Sequence, residues 1–107
     1  MATPQLPNYL RANRKRLALS QDEVAFLLGN KGGANVSRYE RFDREPSLET
    51  ALALEVIFQR SASELFGGLY QKVEREVMER AKILAYRTNQ KDSKRQMLAN
   101  IANKSLN

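Results

Sequence analysis

The stretch Ser20-Gln-Asp-Glu-Val-Ala-Phe-Leu-Leu-Gly-Asn-Lys-Gly-Gly-Ala-Asn-Val-Ser-Arg-Tyr-Glu-Arg41 decides how the rest of the chain is read. Ser20 stands three residues before Glu23, so each can satisfy the backbone N–H that the other leaves free at a helix start. Leu19 and Val24 sit where a hydrophobic staple closes over that start. Val24, Leu27 and Leu28 share one helical face, and Gly29 supplies the C-terminal stop. A polar, glycine-containing turn follows, after which Val36, Tyr39 and Glu40 mark the inner face of a second short helix. The spacing predicts helices over residues 20–28 and 33–42. Two short helices joined by a tight turn present one of them outward.

Upstream, a first helix is expected to start near Pro7 or Asn8, since proline suits a first turn and asparagine a cap. Leu6, Leu10 and Leu17 form its inner stripe, and Arg14 falls in the middle of that stripe. A charge on an apolar face needs a partner. Glu40, four residues after Val36 on the inner face of the later helix, is the candidate; the alternative is that Arg14 snorkels to solvent. The same tension faces Arg14-Lys15-Arg16 as a group, where Lys15 and Arg16 fit a solvated face as well as a nucleic-acid backbone.

Downstream, Pro46 forbids helix at Glu45, so residues 43–46 form a charged loop. Ser47 caps a fourth helix in which Leu48, Ala51, Leu52 and Val56 keep helical spacing, with Leu54, Ile57 and Phe58 widening the apolar surface. Ser61 and Glu64 make a second capping box before a short fifth helix with Leu65 and Phe66. Gly67-Gly68 is read as the end of the compact part. A longer helix is expected from Leu69 to about Arg87, with Tyr70, Val73, Val77, Ala81 and Leu84 at spacings of three and four. Opposite charges four apart (Lys72, Glu76 and Arg80; Arg75 and Glu79) support its outer face. Residues 88–93 break it, and Ser93 is placed to cap a last helix through Met97, Leu98 and Ile101. With no strand alternation or internal repeat, the class is all-α: a domain over residues 6–68 and a helical extension over residues 69–107.

Composition narrows the chemistry. The 107 residues contain no cysteine and no histidine, which excludes disulfides, thiolate chemistry, imidazole catalysis and zinc sites of the usual kind. No cofactor is expected. Asp22-Glu23 is not a catalytic pair, because adjacent helix residues point apart and acids in a first turn suit the helix dipole. Neither a signal peptide nor a membrane-spanning run is visible, so a soluble, cytoplasmic protein is expected. The net charge of +6 suits a polyanionic partner. Residues 1–68 hold nine Lys/Arg against eight Asp/Glu, whereas residues 69–107 hold nine against four. The excess therefore lies in the extension, and the charge says little about the two-helix motif.

Four segments in order, Leu19-Ser-Gln-Asp-Glu-Val-Ala25, Val36-Ser-Arg-Tyr-Glu-Arg41, Pro46-Ser-Leu-Glu-Thr50 and Ser61-Ala-Ser-Glu-Leu-Phe66, resemble the Cro and lambda-repressor type of helix-turn-helix proteins, also called the xenobiotic-response-element family. The resemblance spans about residues 6–66, with Ala25 small where the helices close and Arg14 and Glu40 at the family's paired positions. It departs from the family pattern in a longer turn, residues 30–35, in the polar Asn30, in Gly32-Gly33 and in Arg60.

The resemblance implies a five-helix domain whose third helix enters the major groove of duplex DNA, commonly as a dimer on a palindrome. By position it implies a phosphate contact for Gln21 at the start of the second helix. Gly33, Ala34, Ser37 and Arg38 are placed toward base edges, with Arg38 suited to a guanine and Asn35 to an adenine. Lys31, Arg41 and Arg44 are placed as phosphate contacts. The implied protein is a transcriptional repressor, a homodimer without cofactor; the alternative is an antitoxin or adaptor-type interaction module with a basic tail. For residues 69–107 the readings are self-association, docking onto the core or onto another protein, a nonspecific nucleic-acid arm, and, least supported by its glutamates, a membrane surface.

Overall fold

The computed structural model describes residues 8–87 and 92–103. Those residues form seven helices and no strand: α1 Leu10–Arg16, α2 Gln21–Leu27, α3 Ala34–Glu40, α4 Leu48–Phe58, α5 Ala62–Leu65, α6 Gly67–Arg87 and α7 Asp92–Ala102. They group into two compact units, Met1–Tyr70 and Gln71–Asn107. No described helix is long and apolar enough to cross a membrane.

The helix starts follow local chemistry. Ser20 Oγ accepts from the Glu23 N–H at 3.0 Å while the Ser20 N–H donates to Glu23 Oε1 at 2.8 Å. Ser61 and Glu64 repeat the reciprocal pair, and Ser47 Oγ accepts from the Thr50 N–H. The Ser61 hydroxyl and backbone N–H both donate to the Glu64 carboxylate and hold its pKa below the usual 4.5. The helix expected to start near Pro7 or Asn8 starts at Leu10 after an N-cap at Tyr9; Asn8, buried one residue before that cap, accepts from the Leu10 N–H, and its amide donates to the Tyr39 carbonyl 31 residues away. Leu6 and Pro7 lie outside the described residues.

The helix ends share one device. In α1, α2 and α3 the residue after the cap turns left-handed: Ala18 at φ 57°, Gly29 at φ 82° and Phe42 at φ 57°. In each, the next N–H reaches back to a carbonyl five residues earlier: Leu19 to Arg14, Asn30 to Ala25, Asp43 to Arg38. These paired backward bonds satisfy carbonyls that a helix end leaves free. The turn at Ala18 folds Leu19 back onto the core. An L-residue with a Cβ is strained at that φ, so Ala18→Gly is expected to raise stability by roughly 0.5 kcal/mol, the relief exceeding the entropy that glycine adds to the unfolded chain. Urea denaturation checks it; a lower midpoint would contradict it.

The core of the first unit joins Leu10, Val24, Ala25, Val36, Tyr39, Leu54, Phe58, Leu65 and Phe66, with Leu19, Leu28, Phe42, Ala51, Ile57 and Leu69 at its edge. Ala25 of α2 is fully buried in this core. Several expected core positions differ. Leu17 is half-exposed because α1 ends at Arg16 and the turn at Ala18 sends Leu19 inward instead. Leu27 and its neighbour Phe26 face solvent. On α4, Leu54 and Phe58 are buried, whereas Leu48 and Val56 are about three-quarters exposed, with Leu52 between them. That helix is apolar on most sides, so spacing alone does not say which side is covered.

Gly67-Gly68, read as the end of the compact part, lies just before the boundary of the first unit at Tyr70, and both residues open α6, where the Tyr70 N–H bonds the Phe66 carbonyl. Gly67 is small for a packing reason, since a Cβ there would lie 3.1 Å from Tyr9 Cε2. The helix expected from Leu69 thus starts two residues earlier and ends at Arg87. Of the expected break, residues 88–91 lie outside the described residues, and Ser93 falls inside α7 rather than at its cap. In the second unit Ala81 and Leu98 are buried.

Candidate nucleic-acid interface

The outward helix is held from behind by one polar knot. Arg14 is bidentate on Glu40, with Nε to Oε2 at 2.5 Å and Nη2 to Oε1 at 3.3 Å. Its remaining terminal nitrogen, Nη1, donates to the Leu19 carbonyl at 3.0 Å. Gln21 Nε2 adds a third donor to Glu40 Oε1 at 3.1 Å. The side chains of Arg14 and Glu40 are only 13% and 5% exposed, so Arg14 pairs rather than snorkels. The knot ties α1, the start of α2 and the end of α3 together, and the requirement that a buried charge be compensated explains all of it.

Between α2 and α3 the chain runs from Leu28 to Gly33. Gly33 caps α3, and its N–H donates to Asp22 Oδ1 at 2.9 Å. A Cβ on Gly33 would fall 2.8 Å from that same oxygen and 2.9 Å from Gln21 Cβ. Glycine there brings the start of α3 against the start of α2, so its backbone, not a side chain, is what this position contributes. Asp22, read from sequence as a first-turn acid, is the residue that anchors the turn. Lys31 and Ala34 are exposed, and Lys31 has no partner among the described residues.

On the outward side of α3, the cations are arranged by neutral and acidic neighbours. Arg38 Nη1 and Arg44 Nη1 both donate to Asn35 Oδ1, each at 3.2 Å. Arg41 donates to Ser37 Oγ at 2.7 Å and to Asp43 Oδ2 at 2.9 Å. Ser37 Oγ therefore accepts from Arg41 and keeps its own proton to donate. Arg16, in contrast, is occupied elsewhere: it donates to the Phe58 carbonyl at the end of α4 and to Asn13.

A notch of about 620 Å³ opens between these elements, lined by Arg11, Arg14, Ser20, Gln21, Asp22, Ser37, Glu40 and Arg41. Arg11 did not stand out in the sequence. It lies three residues before Arg14, one helical turn away, and that spacing is the signal that would have placed it beside the knot. Arg11 is exposed, with no hydrogen-bond or ion-pair partner among the described residues. Gln21 lines the notch while its amide nitrogen is spent on Glu40, leaving its oxygen and the backbone. The structure thus gathers Gln21, Ser37 and Arg41 around one notch, and Asn35, Arg38 and Arg44 around one oxygen.

No curated protein and no solved structure matches the chain. A family model described as helix-turn-helix matches residues 10–65, more than half of the 107 residues. That span carries the knot, the turn and every arginine of the outward face. With α2 and α3 packed together within that span, the chain belongs to the Cro and lambda-repressor type of helix-turn-helix family and is a DNA-binding transcription regulator.

Proposed function

We propose that the protein is a sequence-specific repressor that binds a palindromic operator as a homodimer, with α3 in the major groove. The observation that carries this reading is the Arg14–Glu40–Gln21 knot, which fixes the inner side of α3 and leaves Arg38, Arg41 and Arg44 outward. A short helix held this way can offer side chains to base edges without ordering itself on binding. Arg38 is the base-reading residue, suited to guanine O6 and N7. Ala34 and Ser37 lie beside it, and Gly33 sets how closely the helix start approaches. Lys31, Arg41, Arg44 and the Gln21 end of α2 contact phosphates, and Arg11 joins them through the shared notch.

Selection of bound duplexes from a random pool tests the reading: a palindrome with guanine in each half-site supports it, and an unselected pool contradicts it. Arg41→Ala is expected to weaken every duplex alike and to lower the slope of log affinity against log salt by about one. Salt titrations on two unrelated duplexes check this; a loss confined to one sequence would make Arg41 a base contact instead.

Residues 69–107 supply the dimer or docking contacts. On α6, Val73, Val77 and Leu84 are each more than two-fifths exposed at helical spacing. If deleting residues 69–107 removes dimerisation and leaves weak half-site binding, the extension is a dimer element. A core that keeps specific affinity and loses only salt-sensitive binding makes it a nucleic-acid arm. The same stripe favours the second reading, an adaptor or antitoxin-type module that holds another protein.

A further inference from the structure

We infer that Asn35 is a positioning residue, whose side-chain oxygen joins Arg38 of α3 to Arg44 of the following loop so that the two arginines meet DNA as one unit. This rests on the reading of α3 given above and deepens it. Both guanidinium groups donate to Asn35 Oδ1 at 3.2 Å. A carbonyl oxygen has two lone pairs, and here both are taken. To read adenine, an asparagine must accept from the base amino group with that same oxygen. In this arrangement it is spent, and only the Nδ2 donor remains. Asn35 therefore does not read adenine as its position on the helix suggested.

Two like charges gathered on one neutral oxygen keep their full attraction for an outside acceptor. Neither Arg38 nor Arg44 is paired with a carboxylate among the described residues, whereas Arg41 is held by Asp43. Arg44 lies outside α3, nine residues beyond Asn35, so the shared oxygen fixes the loop to the reading helix. The acceptor that fits two convergent guanidinium groups is a guanine edge with the phosphate beside it. Arg44 then acts through the same register as Arg38 instead of as an independent phosphate contact.

The test is a set of variants of the full chain on the duplex selected by the wild type. Asn35→Ala is expected to cost about tenfold in affinity and to erase base preference at the same position as Arg38→Ala. Combined, the two are expected to fall within about twofold of Arg38→Ala alone. Asn35→Asp keeps the acceptor, so it retains that preference while total affinity drops as its charge pairs with both arginines. The inference is overturned if Asn35→Ala alters preference at a separate adenine, or if its effect multiplies with that of Arg38→Ala. Should Asn35→Ala unfold, Arg38→Ala and Arg44→Ala, both at exposed sites, carry the test: a combined loss smaller than the product supports the shared unit, and a full product overturns it. A wild-type chain that selects no sequence sinks the reading beneath the inference, a result distinct from multiplicative losses on a selected duplex.

Discussion

Glu40→Ala is expected to lower the unfolding free energy by about 2 kcal/mol, below the range for breaking one side of a fully buried ion pair because the Arg14–Glu40 pair is partly buried. The carboxylate accepts from Arg14 twice and from Gln21 once, and its side chain is 5% exposed. Without it, the Arg14 guanidinium, whose side chain is 13% exposed, keeps the Leu19 carbonyl as its one remaining acceptor among the described residues. For a unit of this size such a loss corresponds to a fall in Tm of roughly 10 °C or more. The paired replacement Arg14→Met with Glu40→Leu removes both charges together and is expected to recover most of the loss, because no unpaired charge remains. Thermal and urea denaturation of the two single variants and the double variant check this. A single variant as stable as wild type would show that the knot contributes nothing.

Arg38→Ala is expected to do the opposite: to leave stability within about 0.5 kcal/mol and cost roughly 1–3 kcal/mol in binding to the selected duplex. Arg38 is exposed on α3, and among the described residues its side chain bonds only to Asn35. Its removal takes nothing from the core, and its loss is felt where a guanine is no longer read in two places. Binding to unrelated duplexes is expected to fall far less. An equal loss on all sequences would make Arg38 a phosphate contact, and would move base reading to another part of α3.

What was legible in the sequence was whatever is decided locally or by a strict physical demand. Ser20, Ser47 and Ser61 cap helices because their oxygens lie three residues before the N–H groups they accept from. The Arg14–Glu40 pair was legible because a guanidinium inside an apolar stripe has to be compensated. Side selection was not legible on α4, where Leu48, Leu52 and Val56 have the same spacing as a buried face and yet lie outside it. Nor were the left-handed turns at Ala18 and Phe42, residues that carry no turn signal and are placed by backward hydrogen bonds. That Gly67 opens a helix and lies against Tyr9 was not legible either, because the contact joins residues far apart in the chain. Among the candidate DNA-contacting residues, the pairings did not follow from spacing. Asp22 holding Gly33, Asn35 shared by two arginines, and Arg11 at the notch all depend on how α1, the turn and the loop after α3 close around each other.

The central claim is that α3 reads bases through Arg38. The most direct measurement is a fluorescence-anisotropy titration of wild type and Arg38→Ala on two duplexes: the selected one, and one with the candidate guanine pair replaced. Wild type is predicted to lose about tenfold or more on the replaced duplex, and Arg38→Ala to bind both duplexes equally. If both proteins lose the same factor on the replaced duplex, that guanine is read by something other than Arg38, and the account is wrong at its centre.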